Sequence, residues 1–131
     1  MHEQRSPDPL PGRILDQKYQ IERLLGRGGM GRVYLARHVG TGRPVAVKVI
    51  LEGLLQNAEA VARFRREAQA AGSIRHPNVV DVTDFGVTRD SGAPRTAYLV
   101  MEYLEGCTLR QLLDDDGPLP LASAVDVIEQ I

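Results

Sequence analysis

An α+β fold is what this 131-residue chain predicts: five antiparallel strands carrying one packed helix, then a short link and two further helices. Three observations lead there. The glycine run Gly26-Arg27-Gly28-Gly29-Met30-Gly31 is followed by an alternating, strand-like segment and not by a helix. Gly40-Thr41-Gly42-Arg43 separates that segment from a second β-branched run, at the spacing of a hairpin. The stretch Ala58 to Gly72 is rich in helix formers, with Val61, Phe64, Ala68 and Ala71 recurring at i, i+3, i+7 and i+10.

Taken in order, residues 1–13 carry Pro7, Pro9 and Pro11 among polar residues and predict a disordered or extended leader, so that the domain starts near Ile14. Asp16 to Ile21 leads into the first strand, with Ile21 and either Leu24 or Leu25 buried. From Arg32 to Val39, the residues Val33, Leu35 and Val39 share one face of a period-two pattern and Tyr34 takes the other. Pro44 to Leu51 is the third strand. Within it Lys48 alternates with Val47 and Val49, so its ammonium points to the face that the first hairpin covers.

The helix over 58–72 has Glu67 at the edge of its apolar stripe, whereas Glu59, Arg63 and Arg66 fall on the far side. Pro77 biases His76 away from the α region and ends the helical stretch. Val79 to Val87 and Thr96 to Glu102 read as the last two strands, joined by a turn-rich segment. Thr108 is an N-cap for a short helix, Gly117-Pro118-Leu119-Pro120 is a turn, and Leu121 to Ile131 is helical.

The run from Leu25 through Gly26, Arg27, Gly28, Gly29, Met30 and Gly31 to Val33, together with Ala46-Val47-Lys48, resembles the glycine-rich loop and third strand of a eukaryotic-like serine/threonine protein kinase of the bacterial kind. The resemblance covers residues 14 to 131. It implies a kinase N-lobe over 14–102, and over 103–131 a hinge and the truncated start of a C-lobe. It further implies that the loop's backbone amides cover the phosphates of ATP, that Lys48 pairs with the α and β phosphates, and that Val33 and Ala46 sandwich the adenine. Glu67 is the implied partner of Lys48, with Glu59 a poor second. Met101 matches the residue at the back of the pocket. The Glu102 carbonyl and the Leu104 amide match the hinge groups that bond the adenine ring.

Asp84-Phe85-Gly86 spells the family's metal-binding triplet, but it precedes the hinge instead of following it, so Asp84 is not assigned as a magnesium ligand. Neither the His-Arg-Asp catalytic loop nor its downstream asparagine occurs within these residues. The expectation is therefore an ATP-binding half-domain that is inactive by itself. Its Mg2+ ligands and protein-substrate surface would lie in a C-terminal part. The alternatives are a stand-alone nucleotide-binding or interaction module and a nonfunctional remnant.

Composition narrows the partners. A net charge of −1 provides no global basic footprint for nucleic acid, and Arg63, Arg65, Arg66 and Arg75 make only a local patch on a helix flank. Neither the three histidines nor the single Cys107 has metal-ligand spacing, and one cysteine allows no internal disulfide, as in a reducing cytoplasm. No apolar run is long enough to span a bilayer, so any membrane anchor would lie beyond Ile131. The apolar residues Leu109, Leu112, Leu113, Val125, Ile128 and Ile131 are expected to lack a covering surface.

Overall fold

The computed structural model describes residues 8–28, 31–50, 56–88 and 95–131. Gly29 and Met30, both assigned to the glycine-rich loop, lie outside the described residues. The described chain forms one antiparallel sheet of six strands, β1 (Ile14–Leu15), β2 (Tyr19–Arg27), β3 (Gly31–His38), β4 (Pro44–Ile50), β5 (Val82–Val87) and β6 (Ala97–Glu102), in the spatial order β1-β2-β3-β4-β6-β5. Helix α1 (Ala58–Ser73) follows β4, and α2 (Leu109–Asp116) and α3 (Leu121–Glu129) follow β6.

The sixth strand is the unforeseen β1. It exists because Asp16 and Gln17 both adopt left-handed φ values, 49° and 60°, in a tight turn closed by the Lys18 amide donating to the Leu15 carbonyl at 2.9 Å. Two successive positive φ values suit a hairpin twist, but glutamine is a poor sequence signal for them. At the next hairpin only Gly42 takes a positive φ, 72°. Gly40 does not need one, since its amide and that of Thr41 both donate to Nδ1 of His38 at 3.1 Å.

The sheet has two unlike faces. On the back face Leu15, Ile21, Tyr34, Val47, Tyr98 and Val100 are essentially inaccessible and form the main core. Each such side chain contributes roughly 1.5–3 kcal/mol by leaving water. The segment from Asp8 to Arg13, expected as part of a disordered or extended leader, packs against this core. Leu10 packs on the core, the Gly12 amide donates to the Ile21 carbonyl at 2.8 Å, and Ile21 returns an amide bond to Arg13. The prolines of this segment lower its cost of ordering, and its polar composition concealed one apolar anchor.

Three tyrosine hydroxyls from this core donate to aspartates: Tyr19 to Asp84 at 2.6 Å, Tyr34 to Asp8, and Tyr98 to Asp16. Burial first, and the neighbouring carboxylate second, push all three hydroxyls above their usual ionisation range. Because the folded values lie above the unfolded one, this stabilisation is complete below about pH 10 and is lost as the unfolded chain ionises above it. Urea midpoints followed by circular dichroism should fall between about pH 9.5 and 11.5, and less steeply in Tyr98→Phe. An equal slope in the variant would contradict the assignment.

On the front face, Phe64 of α1 packs with Ile50 and Ala97 and lies 5.6 Å from the Phe85 ring, centroid to centroid. Helix α1 starts where expected because the Asn57 side-chain carbonyl oxygen accepts from the Glu59 and Ala60 amides at 3.0 and 3.3 Å. Phe64 and Ala68 are its buried residues. Thr108 caps α2 through a reciprocal capping box with Gln111. Leu121, Ile128 and Ile131 are widely exposed, while Leu112 and Leu113 are half-buried.

Candidate functional site: the front face of the sheet

Cross-strand register assembles the site. Gly26 lies opposite Val33, Val33 opposite Lys48, and Lys48 opposite Leu99, so β2, β3, β4 and β6 place these four in one row. The adjoining row is Leu35, Ala46 and Met101. Val47 and Val49 point into the back-face core, which commits Lys48 to the front face together with Ile50, the residue that meets Phe64. Lys48 is half-buried, with Val33 and Leu99 opposite it on the two neighbouring strands. Leu35 and Leu99 were not assigned to the site from the sequence, yet each is one period of two away from a residue that was.

The glycines divide by role. A Cβ on Gly31 would lie 1.9 Å from the Val49 carbonyl oxygen, so this glycine lets β3 close onto β4. Gly28 donates its amide to the Gly31 carbonyl at 2.8 Å, which pins the base of the loop. A methyl group added to Gly26 would have nothing within 4 Å, one on Gly28 would have only the Gly31 oxygen at 3.9 Å, and neither residue is in the left-handed region. Packing within the described chain therefore does not demand glycine at 26 or 28. Arg27 is exposed and Leu25 is 37% exposed at the edge of the same strand.

The protein kinase domain family matches residues 19–131. This chain belongs to that family. It is similar to the serine/threonine-protein kinase PrkC of Bacillus subtilis (strain 168), 42% identical over 122 residues that make up 93% of this chain and 18% of that protein. It is similar also to the serine/threonine-protein kinase PknB of Mycobacterium leprae (strain TN), 42% identical over 114 residues, 87% of this chain and 18% of that one. Among solved structures, the Mycobacterium tuberculosis PknI kinase domain superposes with a TM-score of 0.71 at 29% identity, covering 91% of this chain and 47% of that one. The chain thus spans under a fifth of the length of these two curated relatives and about half of the solved kinase domain.

Within this kinase-domain chain the remaining assigned residues fall as follows. Met101 is half-buried at the end of β6, and the strand's last residue, Glu102, donates its amide to the Asp81 carbonyl at 2.9 Å. Leu104 lies beyond the ladder, 60% exposed, and its amide has no partner among the described residues. Four ion pairs form among the described residues, and none joins Lys48 to Glu67. The expected ion pair is not made in this arrangement because α1 is seated by Phe64 and Ala68, which leaves Glu67 on its exposed side.

The Asp84-Phe85-Gly86 triplet has a structural explanation at every position. The Asp84 carboxylate accepts from the Tyr19 hydroxyl and lies 3.9 Å from Nζ of Lys18. Phe85 stacks obliquely on Phe64. Gly86 makes room for the Tyr98 ring, whose hydroxyl oxygen would lie 2.4 Å from an added Cβ. Among the described residues no group of three or more His, Cys, Asp or Glu side chains gathers in a way that could hold a metal ion.

Proposed function

We propose that the front face binds ATP and that the chain is the nucleotide-holding part of a serine/threonine protein kinase domain. The observation that carries this is the row Gly26–Val33–Lys48, which sets a flexible-backbone strand edge, an apolar surface and a cation side by side on the open face. Gly26 and Gly28 are free of crowding from the described chain, so their lack of a side chain would serve the close approach of phosphate oxygens to backbone amides. Lys48 would neutralise phosphate charge, and its half-buried setting would strengthen that attraction. Val33 and Ala46 would hold the adenine by apolar contact. The Leu104 amide would donate to the ring and the Glu102 carbonyl would accept from its amino group.

Glu67 would reach Lys48 after a rotation of α1 about its Phe64 contact, since Glu67 adjoins the buried Ala68 on that helix. Phosphoryl transfer also requires a group to accept the hydroxyl proton and ligands for Mg2+, and no step is assigned to these residues for either. The exposed apolar residues Leu121, Ile128 and Ile131 fit a surface that the other half of a kinase domain would cover.

Titration of the chain with a fluorescent ATP analogue should give saturable binding. Lys48→Met should weaken it about ten-fold or more, a loss of roughly 1.4 kcal/mol, without lowering the melting temperature. Unchanged affinity would remove Lys48 from the site. Incubation with magnesium ATP should leave the chain unphosphorylated by intact-mass spectrometry, and a phosphorylated species would refute the reading of binding without transfer.

A further inference from the structure

We propose that Asp8 is a positioning residue for the glycine-rich loop: its carboxylate neutralises Arg32 and so holds the base of that loop in register for nucleotide. This role rests on the reading of the front face as a nucleotide site, although the groups that carry it lie on the back face. Arg27 of β2 and Arg32 of β3 are direct cross-strand partners on the last rung before the loop. Beyond them the Gly28 amide donates to the Gly31 carbonyl at 2.8 Å. Such partners share one face of an antiparallel pair, with Cβ atoms about 4.5–5.5 Å apart. Gly26 and Val33 form the preceding rung on the front face, which puts both arginines on the back.

Two like charges on one rung repel, and the mouth of a loop is where a ladder opens most easily. Arg27 is exposed and takes part in none of the ion pairs among the described residues. Arg32 has Asp8 as its one carboxylate partner among them, with Nη1 3.6 Å from Oδ2. The Asp8 side chain is 18% exposed and that of Arg32 33%, so water and salt screen this pair less than they screen a surface pair.

The segment from Asp8 to Arg13 brings the carboxylate there. Its Oδ1 accepts from the Leu10 amide at 3.1 Å, and its Oδ2 accepts from the Tyr34 hydroxyl. Leu10 packs on the back-face core, Gly12 turns the chain with a φ of 90°, and the Gly12 amide and Arg13 carbonyl both bond to Ile21 of β2. The segment is therefore a strap across β2 and β3, fastened at Ile21 and Tyr34, with its carboxylate delivered to the rung below the loop. Without that charge the strap keeps its apolar and backbone fastenings, but the rung is left with two uncompensated cations. Ordering the loop over phosphate then costs more, and affinity falls although Asp8 touches no part of the ligand.

Amide hydrogen exchange of the full 131-residue chain, followed by nuclear magnetic resonance without nucleotide, is the direct measurement. Asp8→Asn keeps the shape of the side chain and an acceptor oxygen while removing the charge. It should accelerate exchange at Gly28 about five-fold, and at the core residue Val100 much less. Adding Arg27→Gln should return Gly28 to the rate of the unaltered chain, because one cation then remains on the rung. A fluorescent ATP analogue should bind Asp8→Asn about three-fold or more weakly than the unaltered chain. Unchanged exchange at Gly28, equal acceleration at Val100, or no recovery with Arg27→Gln would each overturn the proposal. Equal analogue affinity of the two chains would overturn the role of Asp8 in nucleotide binding, whereas no binding by the unaltered chain would overturn the nucleotide reading of the front face itself.

Discussion

Gly31→Ala is expected to cost about 3 kcal/mol or more of folding stability, the largest effect of any single methyl group in the described chain. The added Cβ would meet the Val49 carbonyl oxygen at 1.9 Å and its carbon at 3.0 Å. Both are backbone atoms of the β3–β4 pair, at the end of its ladder, where Gly31 pairs with Ile50 and Arg32 with Val49. A side chain could rotate away, but this carbonyl cannot do so without opening the β3–β4 ladder. With total stabilities of about 5–15 kcal/mol for small domains, such a loss removes a large fraction of the whole. Gly26→Ala is the internal control. Nothing lies within 4 Å of its added methyl, so urea denaturation should move by no more than about 0.5 kcal/mol while ATP-analogue binding weakens. Equal denaturation midpoints for the two variants would show that the close approach at Gly31 is not what requires glycine there.

Gly86→Ala should be the next most damaging, at about 2–3 kcal/mol, through overpacking. Its Cβ would overlap the Tyr98 side chain, with the hydroxyl oxygen at 2.4 Å and the Cζ and Cε1 carbons at 2.5 and 2.8 Å. Tyr98 is 1% exposed, meets the Tyr19 ring edge-on at 6.0 Å and donates to Asp16, so it has nowhere to go. Thermal melts followed by circular dichroism read the loss directly. Adding Tyr98→Phe should not restore stability, because the offending ring carbons remain. Full rescue by phenylalanine would instead trace the conflict to the hydroxyl alone.

The row that builds the candidate site was legible because strand alternation is a strict period of two. Once Val47 and Val49 are assigned to a core, Lys48 must face away from it, and Val33 and Met101 follow by register. Helix α1 was legible for a similar reason, since Phe64 and Ala68 recur at helical spacing and are its buried pair. Glu67 was harder, because helical spacing fixes a direction around the axis but not how the helix is turned against the sheet. The β1 strand and the docking of Asp8 to Arg13 were not legible. They depend on Asp16 and Gln17 adopting backbone angles that their side chains do not advertise, and on single long-range bonds such as Tyr34 to Asp8. Such contacts leave no periodic trace in the sequence.

The Asp84 carboxylate has a consequence for how variants of this chain are interpreted. In a kinase study, neutralising the aspartate of an Asp-Phe-Gly triplet is a natural choice of catalytically dead control. Here Asp84→Asn would weaken the acceptor of the Tyr19 hydroxyl and remove the charge beside Lys18, and so disturb the seam between the edge strand and the first hairpin. A fall in ATP-analogue binding in such a variant would then report damaged architecture. Lys48 is the substitution that separates the two, since its side chain stands on the open face and forms no ion pair among the described residues.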